Sequence, residues 1–470
     1  MGQLYHAGEA KIRPGTYFRY ENGGGSVVGG ATAHSVAIPI QADWGPVDAV
    51  TVHDSASSVI ATYGSKNTVD AALALFAGGA TKVYCVRLDK ATNNSEGTAA
   101  AKATLEIKDD STTAVTITAK YPGTKEIKVQ TRIKVEGVSK EIVIYDGTTK
   151  VEAFSFAIGD NEVANLVAAV SASAYITAAA GTGTTVPIQD VTALAGGANP
   201  KITTESYSEA FVKLETYTFT HIALDCVTAA VQALLQTWLD RVYEEGKLCI
   251  AVLGGKNYGA TFSEKAAAAT AFDDEKIIYS GIWGRDAEGN IVDDYKMAAY
   301  VAGAIAGTPS NESIVHNVVP GIVSINPHTN TEYEQAIKSG LLLASYSPSG
   351  AVWFDSAINT LNTLAANQDA GWKKIRRVTT RFEMIRREDE ALAPLKLNGT
   401  SDDVAIAIQT AQGVLNAMIS ENKLKPGATV YEDPENPLNG DSLWLVNEVN
   451  DFDSIEKIYN RYIFRYNSNS

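Results

Sequence analysis

Cysteine, methionine and histidine are scarce in this sequence: three, four and six among 470 residues. Three thiols cannot make a disulfide framework. Cys85, Cys226 and Cys249 each sit in an apolar segment without a C-x-x-C partner and read as buried free thiols. The histidines, at 6, 34, 53, 221, 316 and 328, include no H-x-x-x-H pair, so no local metal signature is present. His221, inside an apolar strand, reads as a core residue. No run of 18 apolar residues exists to cross a membrane, and the first residues lack the apolar stretch of a signal peptide. The expectation is a protein kept in a reducing, soluble compartment, without membrane insertion.

Catalytic signatures are missing too. The glycines within 23–30 are not followed by Gly-Lys-Ser/Thr. Gly254, Gly255 and Lys256 leave a strand but lack phosphate-loop spacing. There is no G-x-S-x-G elbow. The acidic pairs at 109–110, 273–274, 293–294 and 402–403 fall at element boundaries and read as turn residues or N-caps. No catalytic residue, cofactor or metal is expected. Asp plus Glu number 54 against 39 Lys plus Arg, a net charge of −15, which opposes direct, non-specific coating of nucleic acid.

What is present is a globular composition, 45% apolar and 20% charged, long enough for about three domains. Residues 1–90 suggest strands at 11–20, 35–40, 47–52 and 80–88, with short helices at 55–62 and 68–77. From residue 91 to 200 the pattern switches to period two: VTITAKY, KEIKVQTRI, KEIVIYD and KVEAFSF, punctuated by turns. Asp146-Gly147 is the strongest hairpin signal. From about 215, apolar strands alternate with amphipathic helices. Val231, Leu235, Trp238 and Val242 share one helix face, and GAIAG at 303–307 reads as close helix packing. The fold class is therefore mixed α/β and β, multidomain: an α/β core from N- and C-terminal parts with an inserted β-rich outer domain.

Two features point to association. Within 373–387 a basic strip carries Lys373, Lys374, Arg376, Arg377, Arg381, Arg386 and Arg387 between apolar residues. It reads as a solvated amphipathic element, as an interface with an acidic surface on a partner or another copy, or as a nucleic-acid contact. The interface reading is favoured, because a chain at −15 with one basic strip attracts its own acidic surface. The two ends carry strand patterns bordered by polar sequence, around Tyr17 at the start and Ile455, Ile458, Tyr462 and Phe464 at the finish. A terminal strand must pair with its own sheet or with a neighbour's.

The sequence resembles contractile-tail sheath proteins of myophages and phage-tail-like bacteriocins. The resemblance is carried by RPGTYFRY at 13–20, ADWGPVDAVTVHD at 42–54, ALALFAGGATKVYCVRL at 72–88 and TAKYPGTKEIKV at 118–129. INTLNTLAANQDAGWKKIRRV at 358–378 and SIEKIYNRYIF at 454–464 complete it. One departure is that Gly123 is followed by Thr124 where the family usually has a Gly-Asn pair. The resemblance implies an N-terminal assembly arm at 1–20, a body part at 21–90, an outer domain at 91–200, and an α/β sheath domain at 201–350. A C-terminal core domain at 351–453 and a C-terminal arm at 454–470 follow. It implies a structural, non-enzymatic subunit forming stacked, hexameric rings around an inner tail tube, with baseplate and tail terminator proteins as further partners. Such a subunit is assembled in the bacterial cytoplasm and resides in the virion tail or bacteriocin particle. Lys373, Lys374, Arg376, Arg377 and Arg381 would then face the tube or a neighbouring subunit. The competing readings are a cytoplasmic α/β enzyme with a β accessory domain and a non-contractile structural or surface polymer.

Overall fold

The computed structural model describes residues 3–4, 13–14, 17–18, 34–92, 95–255, 259–319 and 321–464. Gln3–Leu4 (β1) and Tyr17–Phe18 (β2) pair in parallel. The rest of the expected N-terminal arm lies outside the described residues. The main sheet begins with Val36–Ile40 (β3), buried at every position, as a strand covered on both faces requires. Val50–His53 (β4), the helices Ala56–Tyr63 (α1) and Val69–Gly78 (α2), and Val83–Arg87 (β5) follow. β5 runs parallel to β3, and β4 closes that edge antiparallel.

The period-two segment folds as Thr104–Asp109 (β6), Thr112–Ala119 (β7), Ile127–Val135 (β8), Ser139–Asp146 (β9), Thr149–Ala157 (β10), Glu162–Ala169 (α3), Ile176–Ala180 (β11) and Gln189–Ala193 (β12). Two antiparallel sheets, ordered β10-β9-β8-β12 and β11-β7-β6, enclose a core of their own around Ile107, Ile117, Ile142, Ile144 and Leu166. The hairpin forms where the sequence signals it. Asp146 pairs with Thr149, and Gly147 takes φ +58°, the left-handed geometry such a tight turn needs.

This module is seated on the sheet by a specific joint. Trp44, from the β3–β4 connection, enters the module's core edge-on to Tyr121 at 5.3 Å and stacked on Tyr175 at 6.1 Å. Arg87, fully buried at the end of β5, donates to the carbonyls of Gly45 at 2.8 Å and Pro122 at 2.7 Å. Gly123 has φ +140°, and a Cβ there would strike the Asp43 backbone. Two segments that carry the family resemblance, 42–54 and 118–129, are thus the two halves of one contact. Thr124 fits it, accepting from Asn199 Nδ2 at 3.2 Å.

The chain returns through Thr204–Leu214 (α4), His221–Ala223 (β13), Ala229–Glu244 (α5), Ile250–Gly254 (β14), Phe262–Phe272 (α6) and Ile277–Ser280 (β15). Then come Gly284–Arg285 (β16), Ile291–Val292 (β17), Asp294–Gly307 (α7), Ser324–Ile325 (β18), Asn330–Ser339 (α8), Leu341–Leu342 (β19), Ala344–Tyr346 (β20) and Val352–Phe354 (β21). The completed sheet has the order β19-β15-β14-β13-β3-β5-β4. α4, α5, α6 and α8 cover one face. α1, α2 and α7 cover the other, continuous with the core beneath Ile375–Leu392 (α9) and Ser401–Ser420 (α10). Thr429–Glu432 (β22) and Leu445–Glu448 (β23) form an antiparallel hairpin against α10.

Local chemistry sets these boundaries. α6, α8 and α10 open with capping boxes, Thr261 with Glu264, Thr329 with Glu332 and Thr400 with Asp403, which satisfy otherwise orphaned amides. Asp273, at φ +44°, ends α6. The small residues of α7 let it lie directly on α2. A Cβ at Gly303 would run into the Leu75 carbonyl, and one at Gly307 into that of Gly79. Gly303→Ala should therefore overpack this contact and destabilise the subunit by about 1–3 kcal/mol, read as a lowered denaturation midpoint with an unchanged slope. An unaltered midpoint would show that the helices separate freely.

Candidate functional site

In an α/β sheet, ligands bind beyond the carboxyl ends of the strands where the winding reverses. Here that point lies between β3 and β13. It is occupied by the chain's own side chains. Buried Asp225 accepts from Thr68 Oγ1 at 2.5 Å, from the Tyr207 hydroxyl at 2.7 Å and from Gln41 Nε2 at 3.5 Å. Burial raises the Asp225 carboxyl above the usual carboxylate range. Beyond β14, Lys265 and Asp294 form a buried pair at 2.7 Å. The crevice an enzyme of this fold would use is thus occupied by the hydrogen-bonded side chains around Asp225 and the Lys265–Asp294 pair. Among the described residues no three His, Cys, Asp or Glu converge as metal ligands, and no helix is long and apolar enough to cross a membrane.

The chemistry of the molecule concentrates instead on α9. The basic strip lies on α9 and the turn before it, and four of its cations meet acids of their own chain. A 3-10 turn at Ala370–Lys373, capped by Asp369, leads into the helix. Arg377 Nη2 lies 3.0 Å from Asp369, and its Nε donates to Asp451 Oδ2 at 2.8 Å. Arg381 bridges the same two acids, 3.0 Å from Asp369 and 3.1 Å from Asp451. Its guanidinium stacks over the Trp372 ring at 4.4 Å. Lys374 Nζ is 2.8 Å from Asp453 and 3.2 Å from Glu456. Arg376 is buried and donates to the Phe452 carbonyl. Lys373 donates to the Asn362 carbonyl at 2.6 Å. For Lys374, Arg377 and Arg381 the acidic surface expected on another molecule includes Asp451, Asp453 and Glu456 of this one. Burial would raise the Asp451 carboxyl, but hydrogen bonding from Arg377 and the charges of Arg381 and Arg377 hold it below the usual range.

The far half of α9 reaches the opposite end of the chain. Glu383, fully buried, accepts from Lys423 Nζ at 2.8 Å and from Arg387 and Ser310. It lies 3.9 Å from His34, where the described body begins. His34 sits edge-on to His221 at 5.7 Å. Burial, then the nearby charge of Arg386, pushes His34 down to about 4, and burial holds His221 well below its ordinary value. Buried Glu388 is pushed up to about 8 by desolvation.

Residues 454–464, expected as a strand, join no sheet among the described residues. The anchors named from sequence stand in solvent: Ile455 is 86% exposed, Ile458 78%, Tyr462 75% and Phe464 93%. Tyr17 lies in β2, opposite Gln3. Sequence reasoning passed over Asp369, Gly371 and Asp451. For Asp369 and Gly371 the signal was the D-x-G-W run just before the strip; Asp451, far along the chain, had none.

This is the architecture of a composite α/β protein with an outboard β module and a projecting terminus, and solved structures share its fold. Residues 200–360 match the family described as phage tail sheath protein central domain. The sheath tail protein of Desulfitobacterium hafniense shares the fold with a TM-score of 0.69 at 19% identity, over 93% of this chain and 100% of that one. The sheath tail protein Lin1278 of Listeria innocua superposes with 0.67 at 18% identity, over 90% and 96%. A chain of the anti-feeding prophage helical sheath in its contracted state gives 0.56 at 10% identity, over 97% and 99%. No curated protein matches the chain. Residues 200–360 are thus similar to a tail sheath central domain, and the chain shares the fold of these sheath tail proteins.

The buried groups on and beside α9 predict a pH dependence with two opposed parts. A histidine whose folded value lies below its unfolded one binds protons first in the unfolded chain. His34 therefore withdraws stability as pH falls from about 6.5 toward its folded value. Glu388 acts oppositely, adding stability as pH falls from about 8 toward its unfolded value near 4.3. Between pH 7 and 5 the melting temperature of His34→Phe should fall less than that of wild type, and that of Glu388→Gln should fall more. Parallel profiles for all three proteins would contradict these assignments.

Proposed function

We propose that this chain is a structural subunit of a contractile tail sheath. It polymerises as stacked, hexameric rings around an inner tail tube, and contraction drives that tube through a target cell envelope. The subunit is assembled in the host cytoplasm and resides in the tail. The baseplate, tail terminator and tube proteins are its partners besides its own copies. The observation that carries this reading is the C-terminal segment. It is a sequence with a strand pattern whose apolar side chains are exposed and which joins no sheet among the described residues, on a body with the fold of sheath tail proteins.

A lone strand gains its ladder hydrogen bonds only by joining a sheet. The hairpin β22–β23 pairs with no third strand among the described residues. It can accept an arm from another copy while the rest of each subunit moves. Main-chain pairing tolerates that movement because it does not rely on side-chain interlocking. Contraction needs no nucleotide if it exchanges one packing of bodies for a better one. Residues 91–200, with their own core and a single joint, form the outward-facing module. The outer edge of the basic strip, at half-buried Lys373 and Lys374, faces the tube or a neighbour.

Removing residues 457–470 should leave a soluble subunit whose melting temperature lies within about 2 °C of the full chain's, since the described side chains lost, those of 457–464, are exposed. Ordered polymer on tail tubes should be abolished, as seen by negative-stain microscopy. Regular sheath from the shortened chain would overturn the arm assignment.

A further inference from the structure

Residues 451–456 are held by charge, and residues 457–464 have no hydrogen bond or ion pair to the body among the described residues. The transition falls within one or two residues of Glu456. On its inner side, two arginines one helical turn apart bind two carboxylates, Asp369 and Asp451, in a four-cornered arrangement. Asp451 is only 7% exposed, so its side of the group is shielded from solvent, while the Asp369 side chain is open to it. Two further features shape the arrangement. Trp372 supports Arg381 from one side. Gly371 makes room for Arg377, since a Cβ at 371 would occupy the position of the guanidinium. Glycine is needed here for close approach and not for a left-handed turn.

We propose that the amino-terminal half of α9 is a clamp that fixes residues 451–456 to the subunit body, so that the C-terminal arm leaves from a rigid root. The reading of 457–470 as an arm, proposed above, is what gives this clamp its purpose. The clamp delivers any pull on the arm to α9, whose Val378 and Phe382 are buried in the core beneath the main sheet. The same helix meets the first residues of the body through Glu383 and His34. The root of the C-terminal segment and the first residues of the described body are therefore referred to one element.

The clamp is tested in the full-length isolated subunit, with Cys226 replaced by serine and nitroxide pairs at Ser454→Cys with Ala417→Cys and at Ile463→Cys with Ala417→Cys. Pulsed dipolar spectroscopy should give a narrow distance distribution for position 454 and a broad one for 463. Asp451→Asn, which removes a charge, and Gly371→Ala, which keeps every charge but displaces Arg377, should each broaden the 454 distribution at least twofold. The melting transition should remain cooperative. A broad 454 distribution in the unaltered clamp, or no broadening in either variant, overturns the proposal. The arm reading has a separate readout. A narrow 454 distribution together with normal polymerisation of the chain ending at 456 would leave the clamp standing and remove the arm. A broad 454 distribution with polymerisation lost on truncation would do the reverse.

Discussion

The parallel pairing of β3 with β13 is the contact on which the rest of the subunit depends. It joins Val36 to His221 and Ala37 to Ile222, across the whole inserted module. Without it the N-terminal strands and the central strands would each present an open, apolar edge. With it, one seven-stranded sheet exists, and both its faces can be covered. The pairing also fixes the geometry elsewhere. It sets His34 beside His221 and above Glu383, and it brings Gln41 and Thr68 onto Asp225. The crevice that other α/β proteins leave for a ligand is thereby filled with polar groups that satisfy one another. The same constraint that builds the sheet removes its natural site for small molecules.

Charge does a different job in this molecule from the one its net value suggests. The excess of acid lies largely on the surface, while the basic residues of α9 are drawn inward onto acids from both sides of the sequence. Isolated surface pairs contribute about 0–1 kcal/mol each. A shielded group such as that around Asp451 has directional hydrogen bonds and becomes costly to open by removing one member. Such a group suits a rigid joint. Weak, wet contacts suit faces that must be exchanged.

Much of this was legible in the amino-acid sequence because it is local. Helical spacing placed Val231, Leu235, Trp238 and Val242 on the buried face of α5, and GAIAG did mark the contact of α7 with α2. Period two marked the strands of the module. The order of the seven strands was not legible, because β3 and β13 meet across a long insertion that leaves no local trace. The basic strip was visible but its partner was not: Asp451 lies 74 residues from Arg377. Asp369, eight residues away, was within reach of sequence reasoning. The terminal strand pattern was legible as a pattern. That it joins no sheet among the described residues could be seen only in the structure.

The account's central claim is that this chain is built to complete its last strand in another copy of itself. The direct measurement is high-resolution cryo-electron microscopy of particles containing the chain, purified from the source that makes it. The account predicts a helical sheath around a tube, with residues 457–464 of each subunit paired by main-chain hydrogen bonds to a sheet of a different subunit. A small closed oligomer, or a sheath in which this segment folds back onto its own body, would contradict it.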